Sequence, residues 1–485
     1  MLWVALELPA LPLQIAERGG HSREPLVIGE GASQRPTVAC ANAAARAVGI
    51  REGQAVAAAK ALAGSLRALP RDPAVERETL ERLAAWAGQF TPMVSVESQG
   101  IALEVESSLR LFGGHAKLTA AVRRGARALG FRVAVGIAPT PLAARLFARA
   151  EAQGLAVRGC LAPGELRERL AELPLFLLDW PSKTLAQLAD LGVLRVRDVL
   201  ALPGEGVALR FGPEVAASLE RLTGRLADPR IPYAAPPRFR ARLELPAETQ
   251  SVEALVFPLR RLLEELEGAL RGRGAGAQHI VLTLRHERGA CTHVALDFAS
   301  PEREADFILT LARERLARLA LAAPTVALEL AADTLLPCAP RSATWLPGPR
   351  EQALDRERLL ERLAARLGRD RVFGIALGDD HRPESDWRKP GTEPVSRGKE
   401  IGVSPRFRPV WLLNRPQRLL AIGGVPSVQG ALEILAGPER IEAGWWDGEE
   451  VRRDYYVAAN ARGETFWIYR EHRDPGAWYL HGVFA

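Results

Sequence analysis

The chain has 485 residues, 47% hydrophobic and 25% charged. That is more than one core accommodates and predicts three or four soluble domains; no apolar run approaches the roughly 18 residues of a membrane span. The net charge of +6 is a mild hint of a polyanionic partner, and no domain is a strong trap for nucleic acid: residues 1–165 carry 19 basic and 14 acidic side chains, 166–237 carry 9 and 9, 238–335 carry 13 and 14, and 336–485 carry 23 and 21.

The four cysteines (Cys40, Cys160, Cys291, Cys338) lack CxxC or His spacing and read as small hydrophobes in a reducing compartment. No basic segment leads into an apolar one near Met1, so a cytoplasmic location is expected.

In chain order, Leu2-Trp3-Val4-Ala5-Leu6-Glu7-Leu8 reads as a strand buried on both faces, the centre of a sheet. Short strands are expected at Pro25–Gly29 and Pro36–Cys40. A helix from Asn42 to Val48 is closed by Gly49, and further helices span Gln54–Ala63 and Arg77–Gln89. A strand pair at Met93–Val96 and Ile101–Val105 is the first strand's expected neighbour. Gly113-Gly114 leads into a helix over His115–Leu129, then a strand over Arg132–Ile137 and a helix over Pro141–Ala152. Residues 1–165 therefore read as an α/β domain with a mixed sheet.

Residues 166–232 lack strand signals. Leu185–Leu191, Gly192-Val193 and Val196–Leu202 give helix, tight turn, helix, which is either a helix-hairpin-helix with amides facing a phosphate or a plain helical hairpin. Arg225–Pro237 holds four prolines in thirteen residues and reads as a linker. Residues 238–335 follow a βαββαβ order. Gly272, Gly274 and Gly276 come after a helix and before a strand, a plain turn rather than a phosphate loop.

Composition changes again beyond residue 344, where seven of ten tryptophans and four of five tyrosines lie. Residues 336–408 read as a helix (Leu354–Leu367) and a flexible linker, and residues 409–485 as an antiparallel β module. Its aromatics are either its own core or a partner-binding face.

This order resembles Y-family (translesion) DNA polymerases: palm with fingers (1–165), helical thumb (166–232), Pro-rich tether, βαββαβ little finger (238–335). Asn42-Ala43-Ala44-Ala45-Arg46-Ala47-Val48-Gly49-Ile50 resembles the family's fingers motif, and Val135-Gly136-Ile137-Ala138-Pro139-Thr140-Pro141-Leu142-Ala143-Ala144-Arg145 its strand-to-helix motif. The resemblance makes Arg46 and Arg145 remnants of a triphosphate site. Ser108-Leu109-Arg110-Leu111-Phe112-Gly113-Gly114 and the C-terminal GPERIEAGWWDG, RRDYYVA and WYLHGVFA are similar to ImuB-type subunits of bacterial damage-inducible (SOS) mutagenesis complexes. Ordinary Y-family polymerases lack the C-terminal motif.

The family's active members hold Mg²⁺ on carboxylates, and here those positions fall at Ala5, Gln99 and Gly100. The ribonucleotide-excluding aromatic falls at about Ala10 and the fingers tyrosine at Ala43. A methyl group cannot ligate Mg²⁺, which leaves Glu7, Glu97 and Glu104 as residual acids for a displaced site, and no cofactor is expected.

The resemblance implies an adaptor that contacts DNA weakly, a sliding clamp, an ImuA-type RecA-like protein and an error-prone replicative-type polymerase subunit. Arg195, Arg197, Arg238, Arg240 and Arg242 are either phosphate contacts or solvated charges. Trp345, Leu346 and Gln352 lie where a clamp-binding peptide is expected but do not complete its Gln-x-x-Leu-Phe pattern. Trp445, Trp446, Tyr455, Tyr456, Trp467 and Trp478 are the aromatic candidates for partner contact.

Overall fold

The first strand, β1 (Trp3–Glu7), is buried along its whole length, as its unbroken apolar run dictates. It is followed by α1 (Leu11–Glu17), β2 (Leu26–Glu30), β3 (Thr37–Ala41), α2 (Ala43–Ala47), α3 (Val56–Leu62), β4 (Arg67–Pro70) and α4 (Pro73–Ala87). Then come β5 (Val94–Val96), β6 (Gly100–Glu104), α5 (Leu109–Phe112), α6 (His115–Ala128), β7 (Ala134–Ala138) and α7 (Pro141–Ala152). The chain is a computed structural model that describes residues 1–20, 24–31, 35–157, 159–321, 323–338, 348–378, 380–389, 408–472 and 477–484.

The mixed sheet expected for residues 1–165 is two sheets. The palm sheet, in order β5-β6-β1-β7, is antiparallel throughout. A second sheet, β3-β2-β4, carries the parallel pair β2–β4. Asn42 ties it to α2: its Oδ1 accepts from the amides of Ala45 (2.8 Å) and Leu26 (3.1 Å).

The palm sheet buries both faces. Val4 and Leu6 pack with Leu80, Leu83 and Leu118 on one side. Trp3 and Ala5 pack with Ala144 and Phe147 of α7 on the other. Helix α7 approaches so closely that a Cβ at Gly136 would lie 2.0 Å from the Ala144 carbonyl oxygen, so only glycine fits there.

The thumb region is helical: α8 (Leu166–Ala171), α9 (Ser182–Asp190), α10 (Val196–Leu200), α11 (Gly204–Phe211) and α12 (Pro213–Thr223). Gly192, at φ 77°, makes the turn between α9 and α10. The little-finger region is β8 (Phe239–Thr249), α13 (Val252–Gly272), β9 (Ala275–His286), β10 (Thr292–Glu302), α14 (Ala305–Leu316) and β11 (Thr325–Ala332), with a short β12 (Leu335–Pro337) added against β9. Its strands run in the order β10-β9-β11-β8, and leucines of α13 and α14 fill one face.

The chain divides into two units, Met1–Arg366 and Leu367–Ala485. The break falls inside the segment read from sequence as helix plus linker. Helix α15 (Pro349–Leu367) stays with the first unit because Arg358 bonds Glu302 and Glu304 of the little finger. The hairpin β13 (Ala376–Leu377) and β14 (Trp387–Arg388) goes with the second, where Arg382 pairs with Asp447 and Glu384 with Arg453.

That second unit is built on six antiparallel strands: β15 (Trp411–Ile422), β16 (Val425–Ser427), β17 (Glu433–Ala443), β18 (Val451–Ala459), β19 (Thr465–Glu471) and β20 (Trp478–Val483). They lie in the order β16-β15-β20-β19-β18-β17. Among the described residues no helix is long and apolar enough to cross a membrane.

Candidate functional site

Register fixes where the palm's acids can stand. On β1, Ala5 lies between Ala102 of β6 and Gly136 of β7, 2% exposed in an apolar core. Glu7, two residues on and therefore on the same face, is opposite Gly100. Glu104 is opposite Trp3, four residues further along β1, which is about 13 Å away at a strand's rise. Its carboxylate accepts from the Leu2 and Glu106 amides. Glu104 therefore cannot join Glu7 around one ion. Gln99 is exposed, and at Gly100 a Cβ would lie 1.9 Å from the Leu6 carbonyl oxygen, so this backbone admits no side chain there.

Glu7 and Glu97 do come together, but around arginines. Two residues of α7, Arg145 and Arg149, project onto the β1 end of the palm sheet, as a spacing of four on a helix requires. Arg149 Nε lies 3.3 Å and Arg145 Nε 3.9 Å from Glu7. Arg145 also reaches Glu97 (3.9 Å), the Ser98 hydroxyl and Asp179 (3.0 Å). Arg149 reaches Asp179 (3.3 Å) and donates to the Leu177 carbonyl (3.0 Å). From the tether, Arg230 pairs with Glu97 (3.5 Å) and Asp228 (3.0 Å). Burial pushes the Glu7 carboxyl up from its ordinary value, against the pull of Arg149 and Arg145.

This cluster does not fit a pair of Mg²⁺ ions. Oxygen ligands in near-octahedral order are needed, whereas each candidate carboxylate here already faces a guanidinium, and Ala5 presents a methyl group. Among the described residues no three Asp, Glu, His or Cys side chains are grouped to hold a metal. Arg149, Asp179, Asp228 and Arg230 were not singled out from sequence; only Arg149 carried a signal, its helical spacing from Arg145.

The other residues named from sequence stand apart. Arg46 is exposed on α2 and donates to the Ala41 carbonyl (2.8 Å). Ala10 is exposed, with φ 50°, at the start of α1. At the thumb hairpin, Arg195 and Arg197 share the carboxylate of Glu172. The amides of Leu194 and Arg195 donate to Asp198 Oδ2 (3.2 and 2.9 Å), so these two amides are taken up by an internal carboxylate at the start of α10. Those bonds, the Arg195 amide first, hold the Asp198 carboxyl below its ordinary range.

On β8, Arg240 and Arg242 share the exposed face as alternation predicts, with Arg238 exposed just before the strand. Arg240 pairs with Asp333 (3.0 Å), and Arg242 with Glu244 (2.5 Å) and Glu329 (3.4 Å).

In the second unit, Tyr455, Trp467 and Trp478 are buried, so they make the module's core and present no face to a partner. Trp467 stacks on Tyr455 at 4.1 Å, and the Tyr455 hydroxyl bonds His481 Nδ1 (2.8 Å). Tyr456 is half-buried against Trp478 (5.2 Å). Trp445 and Trp446 are the exposed pair, edge to face at 5.5 Å. Trp411, Leu420 and Ile422 on β15 are also exposed, and sequence alternation did not single them out. Gln352 is exposed on α15; Trp345 and Leu346 lie outside the described residues.

Residues 16–149 match the model of the impB/mucB/samB family. Protein ImuB of Caulobacter vibrioides is 28% identical over 474 residues, spanning 90% of this chain and all of the relative. DNA polymerase IV of Desulfatibacillum aliphaticivorans is 32% identical over 191 residues, 38% of this chain and 47% of that protein. DNA polymerase IV of Shewanella sp. strain MR-4 is 29% identical over 205 residues, 41% and 56%.

The crystal structure of DinB from Sulfolobus solfataricus aligns with a TM-score of 0.40 at 18% identity, covering 70% of this chain and all of that one. Similar in sequence to ImuB over 90% of its length, and built on an antiparallel palm sheet, a helical thumb and a βαββαβ little finger, the chain is an ImuB-like, Y-family polymerase-like protein.

Proposed function

We propose that the chain is a non-catalytic adaptor in damage-induced translesion synthesis. It keeps a polymerase's DNA-holding shape and leaves nucleotide joining to a partner subunit. The observation that carries this reading is Ala5, buried in apolar surroundings at the family's ligand position, with the nearest acid, Glu7, facing two arginines. Losing a metal clamp removes several kcal/mol of transition-state stabilisation, about a thousandfold in rate per 4 kcal/mol.

The partners follow from the likeness to ImuB: a sliding clamp, an ImuA-type RecA-like protein and an error-prone polymerase subunit, with DNA held weakly. The exposed Trp445–Trp446 pair is the face we assign to protein partners. Primer extension by the purified chain with Mg²⁺ or Mn²⁺ tests the reading, and no incorporation is expected. Extension abolished by Glu7→Gln or Glu97→Gln would establish instead an active low-fidelity polymerase using displaced carboxylates. Capture of the polymerase subunit should be lost on Trp445→Ala with Trp446→Ala, and undiminished capture would move the partner face elsewhere.

A further inference from the structure

A second arginine–carboxylate cluster lies between the palm and the little finger and has no part in the site above. Glu265, in the middle of α13, is 1% exposed. One oxygen meets Arg18 Nη2 and the other Arg82 Nε (2.9 Å), so the carboxylate is shared by two palm arginines. Arg18 is itself fixed: its Nε donates to the Leu129 carbonyl (2.8 Å), and its guanidinium lies 4.8 Å from the Phe131 ring centre. Arg261 of α13 donates to the Arg18 carbonyl.

The seam around this cluster is too close for side chains. At Gly268 a Cβ would lie 2.1 Å from Trp86 of α4, and at Gly272 2.7 Å from the Gly88 backbone. From the palm side, a Cβ at Gly19 would lie 1.9 Å from the Glu244 carbonyl oxygen, and at Gly20 2.8 Å from Pro246. A glycine inside the helix, Gly268, is a poor choice for α13 alone, and the close approach of Trp86 explains it; Gly272 closes the helix. The tether between the domains is held too: the Tyr233 amide donates to the Val94 carbonyl (2.7 Å).

We propose that this seam is a latch, in which Glu265 between Arg18 and Arg82 fixes the little finger on the palm so that the two move as one body. The exposed face of β8 is then held at a preset place, and binding DNA requires no domain swing. Preorganisation of this kind lowers the ordering cost of association. The latch is independent of whether the chain extends a primer. Because Arg18 and Glu265 are buried, salt should not open the pair.

The test uses the full chain with spin labels at Arg77→Cys on the palm and Arg288→Cys on the little finger, after Cys291→Ser and Cys338→Ser. Double electron–electron resonance should give one narrow distance, unchanged by salt and by added primer–template duplex. Glu265→Ala should lower the closed-to-open ratio by about two orders of magnitude, since it strands the buried Arg18 and leaves Arg82 only its pair with Glu78. Gly268→Leu should broaden the distribution by wedging the seam. A broad distribution in the parent chain, a shift on adding duplex, or an unmoved distance in Gly268→Leu would each overturn the latch. The first two readings need no substitution within the seam.

Discussion

Glu7 and Glu265 are both buried and each faces two arginines, yet their carboxyls move in opposite directions. At Glu7 burial prevails and the group rises above its ordinary value of 4.5, with Arg149 at 3.3 Å and Arg145 at 3.9 Å. At Glu265 burial also pushes upward, but Arg18 and Arg82 outweigh it and the group falls below 4.5. The difference is in direct bonding. Glu265 accepts a hydrogen bond from each of its two arginines, whereas Glu7 accepts one from Arg149 alone and Arg145 stands at 3.9 Å. Opposite charge nearby does not by itself make a strong pair; aligned donors do.

The sharpest way to break the comparison is at Glu265. Glu265→Ala should lose about 3–5 kcal/mol in urea unfolding of the first unit, because the buried Arg18 guanidinium loses its counter-charge, while Arg82 keeps only its more exposed pair with Glu78. Next is Ala5→Asp, which puts a carboxylate where the polymerase resemblance implies a metal ligand. It should lose about 1–3 kcal/mol, with the new acid taking up a proton in its apolar pocket, and should gain no Mg²⁺-dependent extension. Metal-dependent incorporation by that variant would mean that the site needs only one carboxylate to revive.

The pH dependence of the two glutamates should have opposite signs. The Glu265 carboxyl lies below its unfolded value, so its contribution is present above about 4.5 and is lost as pH falls through the folded value. Glu7 lies above its unfolded value, so its contribution is present at low pH and is lost as pH rises through the folded value. Between about pH 7 and pH 5 the parent chain should therefore gain stability relative to Glu7→Gln, while its margin over Glu265→Gln stays level. At neutral pH Glu7→Gln should cost no more than about 1.5 kcal/mol. Urea midpoints at the two pH values decide it.

Much of the fold was legible from local chemistry. The run from Leu2 to Leu8 gave a central strand, Pro141 after the Thr140 cap started α7, and Asn42 before five alanine-rich residues started α2. Helix α1 was missed because Leu11–Glu17 is only seven residues long and has no side-chain cap. The clusters were not legible, since Arg18 and Glu265 are 247 residues apart and only packing joins them. Aromatic density showed that residues 409–485 form a module but could not separate the buried Tyr455, Trp467 and Trp478 from the exposed Trp445 and Trp446. Burial there follows the alternation of the strands: Tyr455 and Trp467 share one face, and Trp478 packs with Phe466 and Ile468 on the other.

The smallest effect is expected at the arginines read from sequence as DNA contacts. A freely available arginine that meets a phosphate contributes about one unit to the salt dependence of binding. Arg240 and Arg242 begin in pairs with Asp333, Glu244 and Glu329, so a phosphate must displace a carboxylate before it gains the contact. Exposed pairs of this kind hold weakly, at about 0–1 kcal/mol each, and the exchange leaves the acids facing the phosphate backbone. Arg240→Ala with Arg242→Ala should therefore lower the slope of log K against log salt by about one unit rather than two, as measured by fluorescence anisotropy on a labelled primer–template. A fall of two units would mean that the carboxylates release both arginines when DNA arrives, and that the little finger grips more firmly than its charge balance implies.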